Sequence, residues 1–333
     1  MQLNKKHFNI KLLVNSILGI ATILLVVLVY INRQYVADQM IVWSFKPAVD
    51  VVDLIKRAGM NDNGKFLYLA SQPKLESAKD FNKSCGKTEN TASILGCYSN
   101  GRIYIYNVTD IQLDGIREVT ASHEVLHAVY ARLGFAEKNK VDSLLDLEYQ
   151  KLQSDVVFKE KIAFYDRTEI GQRNNELHSV IGTEIASISP ELETYYSKYF
   201  YDRNQVIDLN TKYTAVFNVL QNKADQLKTK LDSLSVSIAD MTSQYNADIQ
   251  IINNDIQTFN NRANNGLFSS QSQFNSERLA LSNRISALET LRNSINNQIS
   301  EYNTILGEYN TIAIQYQALY KSIDSTLAPA PSI

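Results

Sequence analysis

The sequence predicts an α+β protein: a mostly helical domain with a small β-sheet, one transmembrane helix before it and an antiparallel coiled-coil hairpin after it. An uncharged apolar run lies near the N-terminus, a mixed helix and strand pattern follows, and a long heptad repeat occupies the C-terminal part. The predicted divisions are an N-terminal segment (1–11), the membrane span (12–31), the mixed domain (32–203), the hairpin (204–326) and a Pro/Ala tail (327–333).

The apolar run Leu12–Ile31 has 20 residues and no charged side chain, which is enough for a helix to cross a hydrocarbon core of about 30 Å. A cleaved signal peptide is the alternative, but its apolar region is usually about 7–15 residues long and ends in a small-residue cleavage site. Lys5, Lys6 and Lys11 precede the run, and only Arg33 follows it closely. The positive-inside rule therefore predicts a single-pass cell-membrane protein with a cytoplasmic N-terminus and extracytoplasmic C-terminal domains.

The two cysteines agree with this orientation. Cys85 and Cys97 enclose a short segment with a glycine just inside each end, and they lack the C-x-x-C spacing of many metal sites. Since the compartment outside the membrane permits disulfides, we expect these two residues to be bonded to each other.

Between the span and the hairpin the pattern alternates between helix and strand. Apolar alternation and turn residues predict two strands, Lys65–Ala70 after the turn 61–64, and Arg102–Val108. A helix from about Asp114 to Leu133 follows the second strand and is stopped by Gly134. The other predicted helices are Val51–Ala58, Lys138–Gln153, Asn175–Ile188 and Glu191–Tyr201.

The predicted hairpin rests on apolar residues that alternate steps of four and three. On its first arm they run without a miss from Tyr213 to Tyr245, and continue to Phe259 after one extra step of four. On its second arm the predicted seam is Leu281, Ile285, Leu288, Arg292, Ile295, Ile299, Tyr302, Leu306, Tyr309, Ala313, Tyr316, Tyr320 and Ile323. A polar, Gly-containing break at 264–266 separates the arms, which favours a coiled-coil hairpin over the alternative of a compact helical bundle.

The sequence His123-Glu124-Val125-Leu126-His127 predicts a metal site. Two histidines four residues apart lie on one face of a helix, so both imidazoles can reach one ion. The glutamate between them can reach a water on the ion and take its proton. Because a catalytic zinc usually has three protein ligands, a further ligand must come from elsewhere in the chain.

The best source of that ligand is the segment from Arg173 to Glu184, which combines two acids with a histidine. Glu176 and Glu184 are about 80° apart around a helix and could face one cavity. Glu184 is therefore the alternative third ligand or an acceptor for a histidine N–H. His178 is a candidate third ligand, or a catalytic hydrogen-bond donor to a developing oxyanion.

Residues 60–205 resemble an extracytoplasmic zinc metallopeptidase of the gluzincin type, on the strength of His123-Glu124-x-x-His127 and a downstream Asn175-Glu176. The resemblance implies a zincin-like fold, a Zn²⁺ cofactor, a peptide or protein substrate and Glu176 as third ligand. In this chain Leu177-His178-Ser179-Val180 stands where that class has x-x-Ser-Asp.

These observations predict a membrane-anchored zinc metallopeptidase in which His123, His127 and Glu176 bind the ion and Glu124 is the general base. The strand Arg102–Val108 would align the substrate backbone. The alternative is a non-enzymatic envelope scaffold that acts through its coiled coil, with a structural or vestigial metal site. The expected partners are a peptide substrate and a coiled-coil partner or second copy. The net charge of −2 and the absence of a basic stripe argue against nucleic acid.

Overall fold

The computed structural model describes residues 10–85, 94–168 and 170–326. Most of the predicted N-terminal segment 1–11 and the whole tail 327–333 lie outside them. The helices are α1 (Ile10–Ile31), α2 (Arg33–Ser44), α3 (Val49–Arg57), α4 (Asp62–Ala70), α5 (Ala78–Ser84), α6 (Ile116–Arg132), α7 (Phe135–Lys151), α8 (Val156–Thr168), α9 (Arg173–Glu184), α10 (Pro190–Tyr196), α11 (Asn204–Asn264) and α12 (Gln271–Ile323). The strands are β1 (Lys74–Glu76), β2 (Gly96–Ser99) and β3 (Arg102–Tyr106).

Helix α1 is the one described helix that is long and apolar enough to cross a membrane. Its segment Val14–Ile31 has a mean hydropathy of 2.5 and no residue buried against the rest of the chain. The length and composition of α1 therefore support the predicted membrane span.

The segment predicted as a strand at 65–70 is the helix α4, so that prediction was wrong. The Oδ1 atom of Asn61 accepts hydrogen bonds from the backbone N–H groups of Asn63 and Gly64, at 3.1 and 3.0 Å. This side-chain cap satisfies two N–H groups that a helix leaves unpaired at its start, and it converts an apparent turn into a helix N-terminus.

The described strands form one mixed sheet in the order β1-β3-β2. β1 pairs parallel with β3, placing Lys74 opposite Tyr104, and β2 pairs antiparallel with β3, placing Cys97 opposite the same tyrosine. β3 is therefore the central strand, and β2 is an edge strand that contacts α6.

Helix α6 is the centre of the domain, since 13 of its 17 residues are buried. A helix buried on nearly all sides must have other elements packed around it, and α9 is the most extensive of its neighbours. Gly182 permits this contact, because a Cβ atom there would lie 2.5 Å from Leu126 Cδ1. The close packing of α9 on α6 determines which side chains of the two helices can meet.

The chain divides into two compact units. One contains the chain up to Ala215 together with the segment from Lys321 onward, and the other is Val216–Tyr320. Leu209 and Tyr213, at the start of α11, pack against the core of the first unit.

In the second unit α11 and α12 run antiparallel. Asp255 pairs with Arg284, and Phe217 at the other end stacks on Tyr316. The predicted seam positions of α11 from Tyr213 to Phe259 are all buried or half-buried.

Half of the predicted seam of α12 is displaced by one residue. Ile295 is buried as predicted, but the other buried residues of α12 are Ile305, Ile312 and Leu319. The prediction placed Leu306, Ala313 and Tyr320 at those positions. Both series repeat every seven residues, so the sequence pattern of α12 alone does not separate them.

Candidate metal centre

His123 and His127 project from consecutive turns of α6, and their ring centroids are 4.7 Å apart. Their side chains are 16% and 9% exposed. Both imidazoles lie on the same face of α6, as expected for residues four apart on a helix, and both are partly accessible.

Glu176, in the first turn of α9, brings a carboxylate to both rings. Its Oε2 atom lies 3.6 Å from His123 Nε2, and its Oε1 atom lies 3.4 Å from His127 Nε2. Each of the three residues offers a ligand atom, and these atoms lie within 4.8 Å of one another, so the cluster could hold a metal ion. We call His123, His127 and Glu176 the metal cluster.

Glu176 lies near each histidine at a spacing close to that between two ligands of one metal ion. Bonds of about 2.1 Å from nitrogen and oxygen ligands to a tetrahedral metal place those ligand atoms about 3.4 Å apart. Glu176 Oε1 lies 3.4 Å from His127 Nε2 and its Oε2 lies 3.6 Å from His123 Nε2, and the ligand atoms of the three residues lie within 4.8 Å of one another. Two imidazoles and one carboxylate leave a tetrahedral ion with one position that the cluster does not fill.

The two histidines have different electrostatic surroundings. Burial alone would lower the pKa of His123, but its hydrogen bond to Glu176 and the charges of Glu124 and Glu184 outweigh burial and raise it. Burial lowers the pKa of His127 to about 4, despite the nearby Glu176. His127 therefore presents a neutral imidazole at neutral pH, the form that binds a metal.

Asn175, which the sequence singled out only as the residue before Glu176 and without a role of its own, orients the His127 ring. His127 Nδ1–H donates a hydrogen bond to Asn175 Oδ1 over 3.0 Å, and the amide of Asn175 donates in turn to Gln172 over 3.3 Å. This bond leaves Nε2 without a proton and directed toward Glu176. The signal in the sequence was the asparagine immediately before the ligand glutamate.

Glu124 lies beside the metal cluster on α6, is 4% exposed and is covered by β2. A Cβ atom on Gly96 would lie 2.6 Å from both Glu124 Oε1 and Thr120 Cγ2. Only a glycine allows the strand to approach the carboxylate so closely. In the sequence Gly96 stands out only as a neighbour of Cys97, and nothing there indicates this contact with Glu124.

The disulfide between Cys85 and Cys97 is present, as predicted, with the two Cα atoms 6.0 Å apart. It joins the end of α5 to β2, next to Gly96. The strand over Glu124 is thereby covalently tied to the neighbouring helix.

The strand predicted to align a substrate is in an unsuitable position. β3 is hydrogen-bonded on one side to β1 and on the other to β2, so its backbone groups are already used. Among the described strands, β2 is the one that combines an unpaired edge with contact to α6. The expectation for Arg102–Val108 is therefore corrected in favour of Gly96–Ser99.

His178 does not join the metal cluster, which corrects both roles expected for it. It is fully buried and its Nε2 atom is 2.9 Å from the hydroxyl oxygen of Tyr195. Burial, reinforced by the charge of His127, lowers the pKa of His178 to about 3. Two residues after Glu176 on a helix, the side chain points about 200° away from it and into the core.

Glu184 is also outside the metal cluster. Its carboxylate pairs with Lys161 of α8, and its charge contributes to the raised pKa of His123. Of the three residues considered as third ligand, the structure brings Glu176 alone to the two histidines.

Arg132, at the end of α6, links the helix of the metal cluster to the helix that follows α1. Its guanidinium donates to both carboxylate oxygens of Asp38 on α2, at 2.9 Å each. It also donates to the hydroxyl of Tyr98 on β2, at 3.0 Å. Asp38 is 2% exposed, so this is a buried, bidentate ion pair that joins three elements.

Comparisons with protein-family models, with curated proteins and with solved structures give no match to this chain. The functional argument therefore rests on the geometry of the site.

Proposed function

We propose that this chain is a membrane-anchored, extracytoplasmic zinc metallopeptidase of the gluzincin type with a zincin-like domain. The observation that carries the proposal is the metal cluster: three ligand atoms from His123, His127 and Glu176 within 4.8 Å of one another. Two imidazoles with a carboxylate are a donor set typical of catalytic zinc, and the unfilled fourth position is where such sites bind water or substrate.

A bound Zn²⁺ would supply Lewis acidity, lowering the pKa of water toward about 7 and polarising a peptide carbonyl. Glu124 would act as general base, taking a proton from the attacking water and delivering it to the leaving amine. Its near-complete burial, at 4% exposure, keeps competing solvent away from the carboxylate. Asn175 would hold the tautomer and orientation of His127 through the Nδ1 hydrogen bond.

The β2 strand would hold an extended peptide beside Glu124. An unpaired strand edge offers backbone N–H and C=O groups to a substrate chain, which can add to the sheet as one more strand. β2 is adjacent to Glu124 through Gly96, so a peptide on that edge would pass close to the metal cluster.

The location follows from α1 and the disulfide together. The lysine excess before the apolar helix supports a cytoplasmic N-terminus. The bond between Cys85 and Cys97 is consistent with an oxidising compartment on the other side. In this assignment α11 and α12 form an antiparallel coiled coil that lies outside the membrane.

The decisive experiment uses the full chain purified in detergent. We expect about one zinc per chain by elemental analysis and cleavage of an unbiased peptide library. Glu124→Gln should keep the zinc and lose activity by about a thousandfold or more, because the base is removed while the ligands stay. Glu160→Gln, an exposed glutamate on α8, is the matched control and should be unchanged.

The same experiment separates the alternative of a non-enzymatic scaffold. A chain that binds zinc but cleaves no library peptide would favour the scaffold. Full activity in Glu124→Gln would refute the proposed mechanism. A structural site would be closed by a fourth protein ligand, whereas the cluster found among residues 10–85, 94–168 and 170–326 has three.

A further inference from the structure

Helix α12 carries more apolar surface than its contact with α11 covers. Its buried seam alternates between two series, each repeating every seven residues. One is Leu288, Ile295, Tyr302, Tyr309, Tyr316 and Ile323, and the other is Leu291, Gln298, Ile305, Ile312 and Leu319. A third series, one residue after the second, is Ile285, Arg292, Ile299, Leu306, Ala313 and Tyr320. We call this third series the outer stripe.

The outer stripe is partly exposed, and Tyr320 at one end also contacts Phe217 of α11, with ring centroids 5.6 Å apart. Ile285, Ile299 and Tyr320 are 39%, 41% and 46% exposed, and Leu306 and Ala313 are half-buried. Leu306 packs at the edge of the cluster formed by Leu227, Leu231, Ile305 and Ile312. The outer stripe is therefore continuous with the seam between the two helices.

Helix α11 has no equivalent of the outer stripe. The positions one residue after its seam residues Leu220, Leu227, Leu234 and Met241 are polar: Gln221, Lys228, Ser235 and Thr242. An apolar face two positions wide fits a helix with one partner, whereas a face three positions wide is typical of a bundle helix with more than one neighbour. Helix α12 thus has the pattern of a bundle helix but contacts a single long helix in the chain.

We propose that the outer stripe is the surface through which two copies of this chain associate, with α12 of one copy antiparallel to α12 of the other. Two hairpins would then form a four-helix arrangement about a two-fold axis. This contact is separate from the proposed peptidase activity and extends the function beyond it.

The outer stripe is complementary to itself in the antiparallel direction. Because its members are seven residues apart, alignment of Ile299 with Leu306 of the second copy also aligns Ile285 with Tyr320 and Arg292 with Ala313. Large apolar side chains then meet each other, and the one charged residue meets the smallest one. This is how an isologous interface must be built, since every contact occurs twice.

The flank of the outer stripe allows a second copy to approach. The residues one helical turn before its members are Ser282, Glu289, Asn296, Asn303, Asn310 and Gln317. All but one are uncharged, so two identical surfaces would meet without strong repulsion between like charges. Polar amides at the rim can form hydrogen bonds to the other copy or to water.

The first test measures the mass of the full chain in detergent. At about 100 μM protein we expect a dimer of the 37.7 kDa chain by sedimentation velocity. The double variant Ile285→Lys with Ile299→Lys should be monomeric, because it places four ammonium groups in the contact. The control Val219→Lys with Val236→Lys changes two exposed apolar residues of α11 and should remain dimeric. A monomeric wild type, or a dimeric outer-stripe variant, would overturn the proposal.

The second test does not depend on how well the lysine variants fold. Cysteines at Ile299 and Leu306 lie about 10 Å apart along one helix, which is too far for a disulfide within a chain. The native cysteines are already bonded to each other. Oxidation of the Ile299→Cys, Leu306→Cys variant should give linked dimers, whereas Ile299→Cys alone should give almost none. Failure of the double variant to link, or efficient linkage of the single variant, would contradict the antiparallel contact.

Discussion

The Oδ1 atom of Asn175 accepts a hydrogen bond from Nδ1 of His127 over 3.0 Å, while the next residue, Glu176, approaches Nε2 of the same ring to 3.4 Å. Asn175 orients the imidazole through Nδ1, and Glu176 lies beside Nε2, the nitrogen available to a metal ion. The first turn of α9 therefore supplies both a candidate ligand, Glu176, and the group that orients another, His127.

Asn175→Ala should weaken metal binding by about 10–100-fold, since partners that orient metal ligands usually contribute that much to affinity. Titration of the metal-free chain with zinc in competition with a chelator measures this change. Asn174→Ala is the matched control, because Asn174 accepts instead from Arg173. Equal zinc affinity in the two alanine variants would contradict the orienting role of Asn175.

Gly96→Ala should impair catalysis without removing the metal. The new methyl group would lie 2.6 Å from Glu124 Oε1, so either the carboxylate or β2 must move. We expect a loss of at least about tenfold in kcat/KM, or about 1.4 kcal/mol, with zinc content unchanged. Gly134→Ala is the control, since a Cβ there meets no atom within 4 Å. Equal activities for both variants would argue against close control of Glu124 by β2.

Asp38→Asn should destabilise the domain by about 3 kcal/mol, because it leaves the Arg132 charge buried without its carboxylate. The two residues contact at 2.9 Å and their side chains are 3% and 12% exposed. Thermal unfolding in detergent, followed by near-ultraviolet circular dichroism, should show a Tm lower by roughly 6–12 °C. Asp53→Asn, at an exposed position on α3, should shift Tm little. A comparable Tm shift in both variants would show that the ion pair contributes no more to stability than an exposed aspartate does.

Asp114 provides a stability change that depends on pH. Hydrogen bonds from Lys212 and Arg57 lower the pKa of its carboxyl group below the usual value. A lowered pKa stabilises the folded state above the unfolded-state value of about 4, and this contribution is lost as the pH falls through the folded-state pKa.

At pH 7, Asp114→Asn should therefore lower the stability by about 0.5–1 kcal/mol, a modest value because its partners Arg57 and Lys212 are 39% and 60% exposed. The difference from wild type should shrink as the pH falls below about 4 and be lost once the carboxyl group is protonated in the folded state as well. The exposed Asp240→Asn on α11 should show no such pH dependence in the same Tm measurements. A deficit for Asp114→Asn that persists at low pH would exclude the carboxylate as its cause.

The sequence predicted the elements that repeat regularly. The helix of the metal cluster, β3 and the two long helices were all expected, because their apolar residues follow one period over many positions. The helices α2 and α8 were not expected, nor were the short elements β1, β2 and α5. These short elements have three, four and seven residues, too few for a period to be recognised, and α4 was taken for a strand because its cap resembled a turn.

The residues of the candidate site that lie on one helix could be predicted from their spacing. Contacts between residues on different helices or strands were harder to predict. His123 and His127 follow from spacing alone. The choice of Glu176 over His178 and Glu184 depends on how α9 packs on α6, which the sequence of α9 does not state. Gly96 and Arg132 act through contacts with residues 28 and 94 positions away in the chain, and nothing local to either residue indicates its partner.

The ion pair between Asp38 and Arg132 limits the distance between the end of α1 and the metal cluster. Asp38 is seven residues beyond the end of α1, about 10 Å along a helix, and Arg132 is five residues beyond His127, about 7 Å. With the side chains included, the metal cluster lies on the order of 40 Å or less from the end of the apolar helix. For a peptidase anchored by α1, a substrate held in the same bilayer would need only about twelve extended residues outside the membrane to reach it.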